Sequence, residues 1–237
     1  MAGETVKSEA ICLSVSPWSR TSHVVSWLTP AGCVSTVVKG AVRPKSAFLG
    51  QYDLNYTCEI VYYARAHGEL HALRECAAVE RRDALRSDWR SLSAAGYMRL
   101  LAGRLAPQGP ECESWHGLLA CALDRLSKCA SDVSAASAER RQLRQAALVA
   151  FELEALHLLG LSPEIEAETG AFAIRGERKM PVSREVFGFI RKVCAAPRSP
   201  SLPPVPLDAL RVVGVYYNFH VGCASEARRS VMRLVQT

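Results

Sequence analysis

The chain has no apolar run approaching the roughly 18 residues that a membrane span requires, and its opening MAGETVKSEA lacks the apolar core of a secretory signal. A cytoplasmic protein is therefore expected. Lysine is scarce, with 6 against 23 arginines. No two of the nine cysteines stand as C-x-x-C, and an odd, irregularly spaced set argues against a disulfide framework, so reduced and mostly buried thiols are expected. There is no G-x-S-x-G elbow, and no cysteine shares a local signature with a histidine. These missing motifs favour a binding protein over an enzyme.

What is present is a globular composition: 237 residues, 49% apolar and 22% charged. That length buries a sizeable core and suits two domains. The net charge is +6, and since residues 1–80 hold as many acidic as basic side chains, the whole excess falls in residues 81–237. A mildly basic solvated surface explains this as well as a partner rich in phosphate or carboxylate does; net charge alone does not choose.

The first 80 residues read as strands. Ile11, Leu13 and Val15 alternate with smaller or polar neighbours, SPWSRTS reads as a turn, and HVVSWLT and CVSTVVK follow across PAG. Leu54, Tyr56, Cys58, Ile60 and Tyr62 keep a period of two, and AHG turns the chain into ELHALREC. Five strands in this length predict a small barrel or closed sandwich, because closure disposes of sheet edges. From Arg81 the period lengthens. Asp88 caps a helix carrying Trp89, Leu92, Ala95 and Met98, continued by Leu101 and Leu105. Further helices fit 111–129 and 137–159, the second ending at Gly160. Residues 161–181 are irregular or a small hairpin, 183–193 a short helix, and AAPRSPSLPPVP a connector no helix can cross. Two helices, 207–220 and 226–235, close the chain.

VVKGAVRPKS, residues 37–46, resembles a worn phosphate loop, but Pro44 stands where such a loop needs a glycine N–H, and strand alternation follows instead of a helix. What remains is an inter-strand loop with Lys39, Arg43 and Lys45, stiffened by Pro44 and bounded by Gly40 and Gly50. A stiff loop loses less entropy when its cations meet a phosphate chain; an exposed loop without a ligand is the alternative. HGELH places His67 and His71 four apart, but the glutamate is out of order for a zinc protease and Gly68 marks a turn, so no metal is expected there. Arg81, Arg82, Arg86 and Arg90 follow the barrel, and Arg140, Arg141 and Arg144 open the third helix; such clusters suit phosphate or carboxylate, and a solvated helix face explains each alone. Trp18, beside Arg20, and Tyr52, after the basic loop, are aromatic candidates for base stacking.

Three stretches resemble the bacterial RecO family of DNA repair proteins: EAICLSVSPWSRTSHVVSWLTPAG, VSTVVKGAVRPKSAFLG with LHALREC, and FHVGCASEARRSVMRL. The resemblance implies an α+β protein, with an N-terminal five-stranded OB-fold β-barrel that binds DNA over 1–80 and an all-α helical domain over 81–237. It implies a non-enzymatic mediator without cofactor, associated with the nucleoid. Such a protein binds single- and double-stranded DNA, anneals complementary strands, and with RecR helps load RecA onto DNA coated by single-strand-binding protein. Contact with the C-terminal tail of that coating protein through the helical domain is implied as well.

On these positions Lys39, Arg43 and Lys45 take the family's DNA-backbone role, joined by Arg74 in LHALREC, while Arg228 and Arg229 match its R-R pair and, with Arg140, Arg141 and Arg144, are candidates for partner contact. Many relatives carry two C-x-x-C pairs for zinc where residues 161–181 here hold no cysteine. No zinc is expected, and Ile165, Phe172 and Ile174 are expected to hold that degenerate insert. Two other readings stay open: a protein-interaction scaffold with little or no DNA binding, and an enzyme with a site assembled from distant carboxylates.

Overall fold

The computed structural model describes residues 4–65, 70–163, 165–166, 171–175, 178–223 and 225–236. Strands β1 (Thr5–Ser19), β2 (Ser22–Thr29), β3 (Gly32–Val38), β4 (Thr57–Tyr63) and β5 (Leu70–Glu80) form a closed barrel in the order β1-β2-β3-β5-β4. This is the arrangement of an OB-fold. Closure rests on β1, whose first half pairs with β4 and second half with β2, the two overlapping at Ile11, while β3 and β5 run parallel. Inside lie Ala10, Cys12, Val25, Trp27, Ile60 and Leu73. The indole N–H of the fully buried Trp27 donates to Thr36 Oγ1 at 2.9 Å, so its polar edge is satisfied without water.

The expected turn SPWSRTS is shorter than its composition suggests. Ser19 pairs with Ser22, leaving Arg20 and Thr21 as a two-residue hairpin turn. Pro17 pairs with His23, so Trp18 is an extra residue with no opposite number, a β-bulge in the last turn of β1.

Contacts group the chain into two compact units, Met1–Asp83 with Arg99–Ala120, and Ala84–Met98 with Cys121–Thr237. After a short 3₁₀ turn at Asp83–Ser87 come α1 (Trp89–Leu105), α2 (Cys112–Ser131) and α3 (Ser137–Leu158). A small sheet follows, β6 (Ile165–Glu166), β7 (Ala171–Arg175) and β8 (Arg178–Pro181), then α4 (Arg184–Ala195), α5 (Ala209–His220) and α6 (Ser225–Gln236). The side chains of Ile165, Phe172 and Ile174 lie outside the described ones, as does all of His67. No helix among the described residues is long and apolar enough to cross a membrane.

Asp88 caps α1 as its position implies, accepting from the Arg90 N–H at 3.1 Å and the Ser91 hydroxyl at 2.6 Å. The buried face is turned from the expected stripe, however. Ala94, Ala95, Met98, Leu101 and Ala102 are buried, whereas Trp89 and Leu92 are exposed, the Trp89 ring lying under the Arg90 guanidinium at 4.7 Å. Ser91, tied to Asp88, takes the inward place. Gly160 ends α3 at φ +70°, with the Leu161 N–H reaching back to the Leu156 carbonyl, the geometry that favours glycine there.

Helix α3 is buried continuously from Arg144 to Leu156, and its charges are matched there: Arg144 with Asp88 at 3.0 Å, Glu152 with Arg228 at 2.6 Å, Glu154 with Arg198 at 2.6 Å. Unpaired, each would cost several kcal/mol, on the order of the buried-ion penalty. All nine cysteines are free thiols, four of them buried, and burial pushes the Cys112 thiol up to about 11.

Candidate nucleic-acid interface

Lys39 follows directly on β3, and the chain then turns repeatedly on itself. The Gly40 carbonyl accepts from the Arg43 N–H, Arg43 from Ser46, Ser46 from Leu49, and Phe48 from Gln51, at 2.9 to 3.3 Å. Ala41, Phe48 and Tyr52 sink into or against the barrel core. Stiffness therefore comes from consecutive turns and three anchors as much as from Pro44. Two further bonds lash the loop to the β1–β2 turn: the Gly40 N–H donates to Ser22 Oγ and the Val42 N–H to the Thr21 carbonyl, both at 3.3 Å.

This lashing brings Trp18, Lys39 and Arg43 around one open concavity of about 410 Å³, lined also by Gly40, Ser19 and Thr21. Trp18 is 62% exposed, because the bulge turns it away from the core. A large aromatic side chain so exposed beside cations is an informative departure from ordinary burial. Gly40 sits at φ +69°, and a Cβ there would come within 3.2 Å of Arg43 Cδ, so the Arg43 stem folds across the glycine. Lys39, Arg43, Lys45 and Arg20 are all exposed, and none of them pairs with a carboxylate among the described residues. An aromatic face and unspent cations around one hollow can stack a base and hold its phosphates.

The other residues singled out in the sequence lie differently. Arg20 sits in the two-residue turn and Lys45 further along the loop, and neither lines the hollow. Tyr52 is half-buried, shares a 2.8 Å hydrogen bond with His23 Nδ1 and packs edge-on against Trp27 at 6.0 Å; burial first, then neighbouring thiols, pushes its phenol up to about 12. It braces the loop from beneath. Arg74 projects from β5, 3.1 Å from Glu75 and 5.9 Å over the exposed Tyr63 ring. His71 stacks on Tyr62 and accepts from the Arg65 N–H, a strand histidine occupied by its neighbours.

In the helical unit, Arg140 and Arg141 are half-buried, Arg144 and Arg228 are buried against Asp88 and Glu152, and Arg229 is exposed. Sequence reasoning passed over Thr21 and Ser22, whose backbone and hydroxyl hold the loop in place; the sign available was their place in the turn segment SPWSRTS. It also passed over a groove of about 130 Å³ between α2, α3 and the proline-rich connector, lined by Leu143, Pro200 and Leu202 together with Arg125 and Lys128.

Residues 1–82, all five barrel strands, match the family model described as Recombination protein O N terminal. Over 95% of its length the chain is 25% identical to the DNA repair protein RecO of Anaeromyxobacter sp. (strain K), covering 95% of that relative. The DNA repair protein RecO of Anaeromyxobacter dehalogenans (strain 2CP-1 / ATCC BAA-258) is 24% identical over the same shares. Both comparisons meet the resemblance carried by the three sequence stretches.

Proposed function

We propose that this RecO-like chain acts in DNA repair and recombination as a nucleotide-independent mediator, its barrel domain (residues 1–80) gripping DNA and its helical domain (81–237) meeting protein partners. The observation that carries the proposal is the single hollow shared by Trp18, Lys39 and Arg43, with cations left uncompensated on a braced loop. Phosphate contacts position a strand without reading it, so little sequence preference follows. Covering phosphates lowers the repulsion between strands, and holding both raises their local concentration; together these anneal complementary strands. Helping RecA onto DNA coated by single-strand-binding protein, together with RecR, completes the role by analogy with the family.

The test is binding of a 20-residue oligonucleotide against salt concentration. Replacing Lys39, Arg43 and Lys45 by alanine should weaken binding to all sequences alike and flatten the log–log salt slope by about 0.7 to 0.9 per lost phosphate contact. An unchanged slope removes these residues from the interface.

The groove at α2 and α3 favours a second reading, with the helical domain as the working surface. Its lining of Leu143, Pro200 and Leu202 beside Lys128 and Arg125, the latter also donating to the Ser199 carbonyl at 2.7 Å, fits an acidic tail ending in an apolar residue, as expected of single-strand-binding protein. Asp132 also lines it, its carboxylate already taking the Ser134 hydroxyl and two backbone N–H groups. Titration with such a peptide, and with oligonucleotide in parallel, separates the readings: peptide binding alone marks a scaffold, both together a mediator.

A further inference from the structure

Helices α5 and α6 line a second cationic hollow, an open one of about 280 Å³. Arg229 and Arg233 stand four residues apart on α6, one helical turn and about 6 Å of rise, and Arg211 faces them from α5. All three are exposed. Arg228, in the same wall, is spent on Glu152. Among the described residues no carboxylate lines the hollow; Asp208 reaches Arg211 at 3.2 Å, in a pair whose two side chains are 64% and 59% exposed. Such exposed pairs hold their members weakly and yield them to a better anion.

The ligand's chemistry follows from the lining. The floor consists of Leu210 and Met232, which are 4% and 9% exposed, so an apolar anchor has almost no surface to cover. A protein segment would gain little there. Three exposed guanidinium forks, opposed among the described residues only by the surface pair of Arg211 with Asp208, instead match successive phosphates, which need only charge and paired N–H donors.

We propose that Arg211, Arg229 and Arg233 form a second nucleic-acid backbone site, on the helical unit, separate from the barrel loop. This rests on the reading that the chain binds DNA, and deepens it: one molecule then holds two strands, which annealing requires and a single site does not provide. The barrel hollow has an aromatic wall for bases; the helical one has none and takes backbone only.

The experiment uses the full chain, a fluorescent 20-residue single strand and its complement, at low salt. Stoichiometric titration of the wild type should reach two strands per molecule. R211A/R229A/R233A should bind one strand through the barrel and anneal at least ~10-fold more slowly, as loss of the second tether implies. K39A/R43A/K45A should likewise fall to one strand. If the helical variant keeps two strands and the wild-type annealing rate, the second site is overturned whatever the barrel variant does. If the barrel variant is the unchanged one, the barrel reading falls and this site stands. An acidic peptide displaced from the helical hollow by no amount of oligonucleotide overturns the proposal in favour of a protein ligand. Thermal melts of both variants check folding, which exposed arginines leave intact.

Discussion

Arg228 donates Nε and Nη2 to the two carboxylate oxygens of the fully buried Glu152, at 2.6 and 2.8 Å. The same Nη2 reaches the Leu210 carbonyl, and the Tyr97 hydroxyl donates to Glu152 at 2.7 Å, so one carboxylate joins α1, α3, α5 and α6. The guanidinium passes so close to Gly214 that a Cβ there would clash with it, which makes glycine part of the joint. The R-R pair thus splits, with one arginine inside and one outside.

Removing Arg228 leaves Glu152 charged and unpaired in the core. Arg228→Ala should therefore destabilise the protein by about 3–5 kcal/mol, whereas Arg229→Ala should stay within about 0.5 kcal/mol. Urea denaturation of both variants decides. Equal midpoints would mean that the buried pair contributes nothing that a surface arginine does not.

Asp88 gives a pH dependence. Burial by itself would raise its carboxyl, but the Ser91 hydroxyl, the Arg144 guanidinium at 3.0 Å and the N–H groups of Arg90 and Ser91 outweigh that and hold it below the usual carboxylate range. A depressed folded value contributes stability that is fully present above the unfolded value of about 3.9 and is lost as pH falls through the folded one. Asp88→Asn should be less stable than wild type at pH 7, and the gap between the two urea midpoints should narrow steadily as pH falls below the unfolded value of about 3.9. A gap that does not change with pH in that range would assign the effect to the hydrogen bonds alone.

Much of this fold was legible in the sequence because local signals and tertiary demand coincide. Period-two alternation from Cys58 to Tyr62 survives as β4, and Gly160 ends α3 where its backbone conformation requires. The failures are cases where a neighbour in space decides. Trp89 and Leu92 repeat at helical spacing yet face outward, since Ser91 follows its bond to Asp88 inward. Arg144 and Arg228 look like surface cations in a list of arginines, and only Asp88 and Glu152, 56 and 76 residues away along the chain, draw them in. The bulge at Trp18 depends on the strand register and leaves no local mark except Pro17, which cannot donate to a ladder.

Gly40 couples the loop's backbone to its charge. Gly40→Ala places a side chain at φ +69°, at a cost of roughly 1–2 kcal/mol, and pushes its Cβ toward the Arg43 stem. The Arg43 stem must give by a few tenths of an ångström. Oligonucleotide affinity should fall, though less far than in Arg43→Ala, and the loss in the double variant should be smaller than the sum of the two single losses. Additive losses would show that the two positions act separately.

On the proposed reading, Trp18 decides which form of DNA the barrel prefers. Its ring lines the hollow with Lys39 and Arg43 and can stack only on a base free of its partner. Duplex bases already stack on one another, so a duplex offers the hollow its phosphates alone. Stacking is worth about 1–3 kcal/mol per base, and Trp18→Ala should weaken single-strand binding correspondingly while leaving duplex affinity near its original value. Trp18→Phe, which keeps an aromatic face, should recover much of the loss. Single-strand titration should also quench tryptophan fluorescence in the wild type and lose that quenching component in Trp18→Ala, since Trp27 and Trp115 are buried and the exposed Trp89 does not line the hollow. Equal loss of affinity for both forms would demote Trp18 from a stacking platform to a support of the turn that carries Arg20.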